Sequence, residues 1–250
     1  MMNDFDLRGN QYYRTTLRYP QARQNELIFV KKWLKPKRGE KILDLGCGTG
    51  YVTSFLANQV GSRGKIFASD ISTLMLKKIK NLNRKNIIII KNSEKKIPIP
   101  NKSIDTIFSY TAFHHFKDQA ALTKECFRLL KHGGRMLIFD ITKDSPVSKY
   151  ADDLWGKYCI TGHEGKWLSK EYIDTLCYLA GFKKPKIIKG NTFREFNTLK
   201  DVGIFFKNLH SLSCSEKNVL VGLKKYLGIK KRKNKYIVPW RIDIAITSKP

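Results

Sequence analysis

The sequence is 250 residues long, which is enough for one sizeable domain with a small appendage. Hydrophobic residues make up 42% of it and aromatic residues 12%, and this content excludes a wholly disordered chain. The formal net charge is +27, from 48 lysines and arginines against 21 acidic residues. Such an excess first suggests a nucleic acid or an acidic membrane as partner, although net charge carries no information about the fold.

The five cysteines lie too far apart in the sequence for a zinc or dithiol motif. No metal ligands are therefore predicted, and the cysteines are expected to be reduced thiols. The first twenty residues lack the apolar stretch of a secretory signal. The longest purely aliphatic run, residues 87–90, is far shorter than the ~20 residues that span a bilayer. We therefore expect a cytoplasmic protein, and the sequence indicates no particular oligomeric state.

Short apolar runs alternate with helical patterns along most of the chain. Strands are predicted at residues 41–45, 65–69, 86–91, 104–110, 135–141, 185–189 and 241–247. Helices are predicted after Pro20 and at residues 49–59, 74–82, 118–130, 169–180, 199–209 and 215–227. This alternation is typical of an α/β protein with a parallel sheet whose strands are joined by right-handed crossovers.

The most informative segment, Leu43-Asp-Leu-Gly-Cys-Gly-Thr-Gly50, lies between a predicted strand and a predicted helix. Its glycines follow a GxGxG spacing, which differs from the GxGxxG of dinucleotide sites, and no GK[ST] follows them. Asp44 would lie beneath the turn, where its carboxylate could hold loop amides or a ligand amine. Asp70 comes directly after the second strand, where a carboxylate can accept both hydroxyls of a ribose.

Four segments in this order resemble the class I S-adenosylmethionine-dependent methyltransferases. They are similar above all to the group typified by the ubiquinone and menaquinone biosynthesis C-methyltransferases, with a type 11 methyltransferase domain. The segments are ILDLGCGTG, IFASDIS, IPIPNKSIDTIFSYTAFHHF and LLKHGGRMLIFD, all within residues 38–142. The resemblance implies a Rossmann-like fold with a seven-stranded, mostly parallel sheet, helices on both faces and an antiparallel last strand. It also implies S-adenosyl-L-methionine as the cofactor.

The resemblance further implies which residues contact the cofactor. They are Asp44, Gly46, Cys47, Gly48, Gly50, Asp70, Ile71, Asn92, Ser93 and Ser109. Gly46 and Gly48 would pack against the methionine portion, Asp70 would take the ribose hydroxyls, and Ile71 would press on the adenine face. Asn92 stands where family members often carry an acidic residue, and its amide oxygen can still accept from the adenine amino group. Ser109 would face the methionine amine.

Three candidate catalytic residues, Tyr110, His114 and His115, follow the fourth strand at the ligand-bearing edge of the sheet. Methyl transfer from a sulfonium is an in-line displacement, so a base is needed only if the acceptor must lose a proton. The histidine pair could act as base or substrate contact, or it could only pack locally. Further side chains could line the site or serve ordinary packing: Tyr12, Tyr13, Trp155, Tyr158, His163 and Trp167.

The resemblance and the charge pattern together suggest a division of the chain. Residues 1–37 would form an N-terminal cap over the cofactor site, residues 38–190 and 237–250 the methyltransferase domain, and residues 191–236 a basic insertion that is predicted to be helical. Seventeen of the 48 basic residues but only 4 of the 21 acidic ones lie in residues 181–250. We expect methyl transfer to a small-molecule acceptor. The alternatives are an RNA or protein methyltransferase and a non-catalytic module that binds nucleic acid, and contact with an anionic membrane stays open.

Overall fold

Strands and helices alternate over most of the chain in the computed structural model, which describes residues 4–91, 96–163 and 165–250. The strands are β1 Lys41–Leu45, β2 Lys65–Asp70, β3 Ile87–Lys91, β4 Ile104–Tyr110, β5 Leu130–Asp140, β6 Lys186–Ile188, β7 Phe193–Phe196, β8 Lys230–Arg232, β9 Lys235–Pro239 and β10 Asp243–Ser248. The helices are α1 Asp4–Arg18, α2 Gln24–Leu34, α3 Tyr51–Val60, α4 Thr73–Lys80, α5 Gln119–Leu129, α6 Pro146–Tyr158, α7 Lys170–Ala180, α8 Leu199–Leu209 and α9 Glu216–Tyr226. Short 3₁₀ turns lie at Pro20–Arg23 and Phe113–His115.

The main sheet has seven strands in the order β3-β2-β1-β4-β5-β10-β6. The first five strands of the chain pair in parallel, whereas β10 is antiparallel to both β5 and β6. The chain moves outward from β1 through β2 and β3 on one side and returns to β4 on the other. In open sheets of this kind ligands bind where the strand order reverses, outside the carboxyl ends of the strands. The topology therefore places a site at the ends of β1 and β4.

Both faces of the sheet are covered by helices. On β4, Phe108 belongs to one core cluster and its neighbour Ile107 to the other, as expected for a strand buried on both sides. The first cluster takes its side chains from helices α2, α3, α6, α8 and α9, and the second takes them from α5 and α7. The predicted fold class, a mostly parallel seven-stranded sheet with an antiparallel last strand, is confirmed.

Two helices occur where the sequence analysis predicted none. Helix α1 is polar in sequence, and it contacts α4 and α8. Helix α6 does have a local start signal, because the hydroxyl of Ser145 caps its first turn and Pro146 occupies the first helical position. In the described part of the chain, none of the helices has the length and the apolarity that crossing a bilayer requires.

The segment predicted as a helical insertion is mixed in structure. Helices α8 and α9 lie where they were predicted, but β7, β8 and β9 form a second, antiparallel sheet in the order β7-β9-β8. The prediction of helices alone was incomplete because β7 pairs with β9, a strand about 40 residues further along, and such a partner leaves little local trace. The division of the chain into a cap, a domain and an insertion stays a prediction.

Candidate functional site

The glycine-rich turn joins β1 to α3, and each of its glycines has a positive φ angle, 75° at Gly46, 54° at Gly48 and 82° at Gly50. A Cβ on Gly46 would lie 2.4 Å from the Cβ of Ala112, and one on Gly50 would lie 2.7 Å from Ile79 Cγ1. A Cβ on Gly48 would meet nothing within 4 Å in the described part of the chain. The outer glycines therefore allow close packing, whereas Gly48 leaves its backbone open to the adjoining cavity.

Asp70 lies at the end of β2, and its side chain reaches the backbone of the glycine-rich turn. Its Oδ2 accepts a hydrogen bond of 2.8 Å from the backbone N–H of Gly48, and its Oδ1 accepts one of 2.8 Å from the N–H of Ser72. Burial raises the pKa of Asp70, although these backbone donors oppose the rise. Each oxygen retains a lone pair, and the carboxylate lines the cavity together with Ile71. This placement fits the predicted contacts with a ribose and an adenine.

Asp44 lies under the same turn and is buried. The hydroxyl of Thr53 donates to its Oδ2 at 2.6 Å. Burial raises the pKa of Asp44 to about 7, with the Thr53 hydrogen bond acting against this and the charge of Asp70 adding to it. Burial also raises the pKa of the Cys47 thiol well above its usual range, so Cys47 is not poised as a nucleophile.

The structure brings most of the predicted cofactor contacts together around one cavity. Those that line it are Asp44, Gly46, Cys47, Gly48, Asp70 and Ile71. Gly50 instead packs against α4 through Ile79. The Ser109 hydroxyl is buried and donates to the carbonyl oxygen of Leu45 at 2.9 Å, so it is engaged within the sheet and does not face the cavity as predicted. Asn92 and Ser93 lie outside the described residues.

The predicted catalytic candidates line the same cavity. His114 Nδ1 lies 2.6 Å from Oδ1 of Asp140, and the His114 backbone N–H donates to Oδ2 of the same carboxylate at 3.0 Å. This contact favours the tautomer with the proton on Nδ1, which leaves the lone pair on Nε2. Within the described ranges that buried Nε2 has no hydrogen-bond partner, and neither has the Tyr110 hydroxyl. Burial raises the pKa of Tyr110 well above its usual range.

The structure adds a third histidine to the predicted pair. His163 comes from the segment between α6 and α7, and its ring centroid lies 5.8 Å from that of His114 and 5.3 Å from that of His115. Burial lowers the pKa of His163 to about 3, with contributions from His114 and Arg8, so its imidazole is neutral. One nitrogen of each ring lies within 4.8 Å of the others. Among the described residues these three could hold a metal ion, a grouping that the spacing of the sequence did not reveal.

The far wall of the cavity is aromatic. The ring of His210 stacks on Trp155 at a centroid distance of 4.0 Å and lies 5.9 Å from Trp240. Trp155 is one of the predicted wall residues, whereas His210 and Trp240 were missed because only the packing of α6 and α8 against the segment before β10 brings them here. The cavity encloses about 1400 Å³, counting the open space at its mouth. It also receives Tyr12 from α1, while the N-terminal cap over a cofactor stays a prediction.

The comparisons with known proteins agree with this geometry. Residues 43–138 match the family model described as a methyltransferase domain. A ubiquinone/menaquinone biosynthesis C-methyltransferase from Cronobacter sakazakii is 32% identical over 123 residues, which are 46% of this chain and 49% of that protein. The chain thus spans about half the length of the curated relatives it matches.

Solved structures extend the similarity of fold over the whole chain. An S-adenosylmethionine-dependent methyltransferase from Thermotoga maritima superimposes with a TM-score of 0.65 at 19% identity and covers 98% of each chain. One from Aquifex aeolicus has a TM-score of 0.56 at 22% identity, over 71% of this chain and 91% of its own. At these identities the likeness shows the fold alone. Together with the matched segment it supports the resemblance: residues 43–138 of this chain match a methyltransferase domain, on a fold shared with S-adenosylmethionine-dependent methyltransferases.

Proposed function

We propose that the protein transfers a methyl group from S-adenosyl-L-methionine to a small-molecule acceptor. The observation that carries this proposal is the cavity that joins two different environments. At one end are the open backbone of Gly48 and the carboxylate of Asp70, and at the other is the aromatic wall with Trp155 and Trp240. A cofactor and an acceptor that share such a cavity can be held in line and shielded from water.

The residues around the turn fit the cofactor. The carboxylate of Asp70 would accept the ribose hydroxyls, the open backbone at Gly48 would approach the methionine portion, and Ile71 would cover the adenine. Asp44 would gain its full charge beside the cofactor's ammonium group, since a nearby cation lowers the pKa of a carboxyl. When bound, the cofactor would supply an activated methyl group on a sulfonium, whose sulfur leaves as a neutral thioether. Holding the acceptor in line with that group can contribute about 7–11 kcal/mol to lowering the barrier.

The His114–Asp140 pair is the best placed acid–base group. Asp140 holds the imidazole in one orientation, and this ring lines the cavity with its buried Nε2 unpartnered among the described residues, so that Nε2 could take a proton from the acceptor. We expect His114→Ala to lower turnover by about 10²–10⁴-fold, the range that general base catalysis contributes, while cofactor binding changes little. His132→Ala is the matched control, because that histidine is exposed and remote from the cavity. Unchanged turnover in His114→Ala would assign the pair a packing role.

The acceptor is proposed from the site and from the relatives together. The curated relatives are named as C-methyltransferases of ubiquinone and menaquinone biosynthesis, and the aromatic wall of this cavity suits an apolar or aromatic acceptor. RNA as acceptor is not favoured. The densest basic run lies on the exposed strand β8 and the turn to β9, and none of its residues is among those that line the cavity. An exposed lysine face of this kind is ordinary for a basic protein.

Binding and label transfer test the proposal directly. Calorimetry should show S-adenosylmethionine binding, and Asp70→Ala should weaken it about tenfold or more through the loss of charge-assisted hydrogen bonds. Asp174→Ala on α7 is the matched control, because its carboxylate lies outside the cavity. Incubation with methyl-tritiated cofactor and cell extract should then label the small-molecule pool. Equal affinity in both variants would reject the site, and label confined to RNA or protein would reject the acceptor class.

A further inference from the structure

A cluster of three buried charged side chains lies at the border of the cavity. Glu26 on α2 is fully buried, and each of its carboxylate oxygens meets a different arginine. Oε2 lies 2.7 Å from Nε of Arg23, and Oε1 lies 3.1 Å from Nε of Arg194, which comes from β7. Both arginine side chains are 5% exposed. The contact between Glu26 and Arg194 joins residues that lie 168 positions apart in the sequence.

The charges in this cluster do not balance. Two guanidinium groups, which stay protonated in proteins, share one carboxylate. Beyond Glu26 and Arg23, the groups that act on Arg194 through their charges are Tyr110 and Tyr12, and neither is a carboxylate. Burial lowers the pKa of Arg194 and the charge of Arg23 adds to this, while Glu26 is the main group that opposes it. Since a buried charge is unfavourable unless it is paired, the cluster as it stands is short of one negative charge.

Arg194 is the arginine with unused donor capacity. Its Nη1 is buried, and in the described residues no acceptor lies within hydrogen-bond distance of it. Arg23, by contrast, also donates from Nη1 to the Tyr12 hydroxyl at 2.6 Å. The Arg194 guanidinium lies over the Trp240 ring at 4.3 Å from the centroid, a contact that holds the group in place but satisfies no N–H.

The Arg194 guanidinium lies in the part of the cavity that the proposed function gives to the acceptor. Arg194 and Arg23 both line the cavity, and Arg194 does so beside Trp240 of the aromatic wall, whereas the Arg23 guanidinium lies over the Tyr51 ring at 4.6 Å from its centroid. Arg194 lies outside residues 43–138, the part that the methyltransferase family model matches. A planar guanidinium beside stacked rings presents a matched surface to a flat molecule that carries an acid group.

We propose that Arg194, supported by Arg23 and Glu26, forms a subsite for a carboxylate, and that this carboxylate belongs to an apolar or aromatic methyl acceptor. The inference rests on the proposed function, whose acceptor it narrows to an organic acid. The cofactor also carries a carboxylate on its methionine portion, so the test must separate the two sources.

Calorimetry with two probes of one shape tests the subsite. The protein is saturated with S-adenosylhomocysteine and titrated with 1-naphthoate and, separately, with the uncharged 1-naphthamide. The acid should bind about tenfold tighter or more, because it gains a charge-assisted pair that the amide lacks. Arg194→Met should remove this preference and leave the affinity for the amide unchanged. Lys230→Met removes the same charge from an exposed position on β8 and should change neither affinity.

Cofactor fragments identify the source of the carboxylate. Affinity for S-adenosylhomocysteine should be the same in Arg194→Met as in the unaltered protein. If it falls tenfold while the affinity for 5′-methylthioadenosine, which lacks the carboxylate, is unchanged, Arg194 serves the cofactor and the proposal is overturned. Equal affinity of the unaltered protein for the acid and the amide also overturns it, and this comparison decides even if Arg194→Met does not fold. If S-adenosylhomocysteine fails to bind, the proposed function fails, and the naphthyl pair on the free protein still decides the anion subsite.

Discussion

The two ends of the cavity are built in different ways. The cofactor end consists of β1, the glycine turn and the end of β2, and Gly48 and Asp70 lie only 22 positions apart. The acceptor end joins Glu26 to Arg194 over 168 positions, and it adds aromatic rings from α6 and from the segment before β10. The first end therefore depends on local backbone geometry and the second on long-range packing. The two should respond differently to substitution.

Glu26→Gln should cause the largest loss in the free energy of unfolding. The substitution leaves two buried guanidinium groups with no carboxylate, and removal of one partner from a buried ion pair typically costs about 3–5 kcal/mol. Denaturant unfolding should show a loss of this size. Glu125→Gln is the control, because its partner Arg128 is 28% exposed and can be solvated. Similar losses in the two variants would contradict the dependence of the acceptor end on this cluster.

Gly46→Ala should have the next largest effect. At a φ of 75° an alanine costs about 1–2 kcal/mol in any surroundings, and here its Cβ would also lie 2.4 Å from the Ala112 Cβ. We expect a loss of about 2–4 kcal/mol in the free energy of unfolding. Gly39→Ala separates the two causes, since Gly39 has a φ of 81° and a Cβ there would meet nothing within 4 Å among the described residues. Equal losses in the two variants would show that the close contact with Ala112 adds nothing to the cost of the positive φ angle.

Asp44→Asn should have the smallest effect on the free energy of unfolding, and it should stabilise the protein where the other two substitutions destabilise it. Burial raises the pKa of Asp44 to about 7 in the folded protein, above an unfolded value of about 3.9, so the folded state retains a proton that the unfolded state releases. The stability from this group is full below about pH 4 and is lost as the pH rises through 7, by roughly 2–3 kcal/mol between pH 5 and 8.

Without this carboxyl group, the cofactor-free Asp44→Asn variant should lose less stability over the same pH range. Thermal unfolding at pH 5 and pH 8 measures the difference. Parallel pH dependence of the two proteins would contradict the raised pKa. Because an asparagine cannot become negative beside the ammonium group of the cofactor, cofactor affinity at pH 8 should fall even though the free protein becomes more stable.

The strands of the main sheet were predicted well from the sequence, because the signals that mark them are local. The strand at Lys41–Leu45 and the helix at Leu199–Leu209 have the predicted bounds, since apolar runs and helical periodicity are properties of a few neighbouring residues. The small sheet of β7, β8 and β9 was missed. Strand β7 depends on a partner remote in the sequence, whereas β8 and β9 form a local hairpin in which β8 is basic throughout and lacks the apolar run by which the other strands were predicted. Helix α6 could have been found from Ser145-Pro146 and the apolar positions that follow.

The residues of the site also differ in whether a local sequence signal or long-range packing places them. Asp44, Gly48 and Asp70 line the cavity as the sequence suggested, because a glycine turn between a strand and a helix constrains what lies around it, while their contacts with a cofactor stay a prediction. Ser109 was placed wrongly, because a hydroxyl at a strand end can face the ligand or a neighbouring strand, and only packing decides between them. Arg194 carries no motif of its own. Its importance appears only once Glu26 and Trp240 are brought beside it.

The position of β10 has a consequence for how the chain folds during synthesis. This strand starts at Asp243, yet it lies inside the sheet between β5, which ends at Asp140, and β6. At a ribosomal rate of about 5–20 residues per second, β10 is synthesised roughly 5–20 s after β5, and until then β5 has no partner on its outer side. During that interval a row of backbone donors and acceptors is exposed, the kind of edge that recruits other chains. The nascent protein is therefore most prone to aggregate just before its last strand leaves the ribosome.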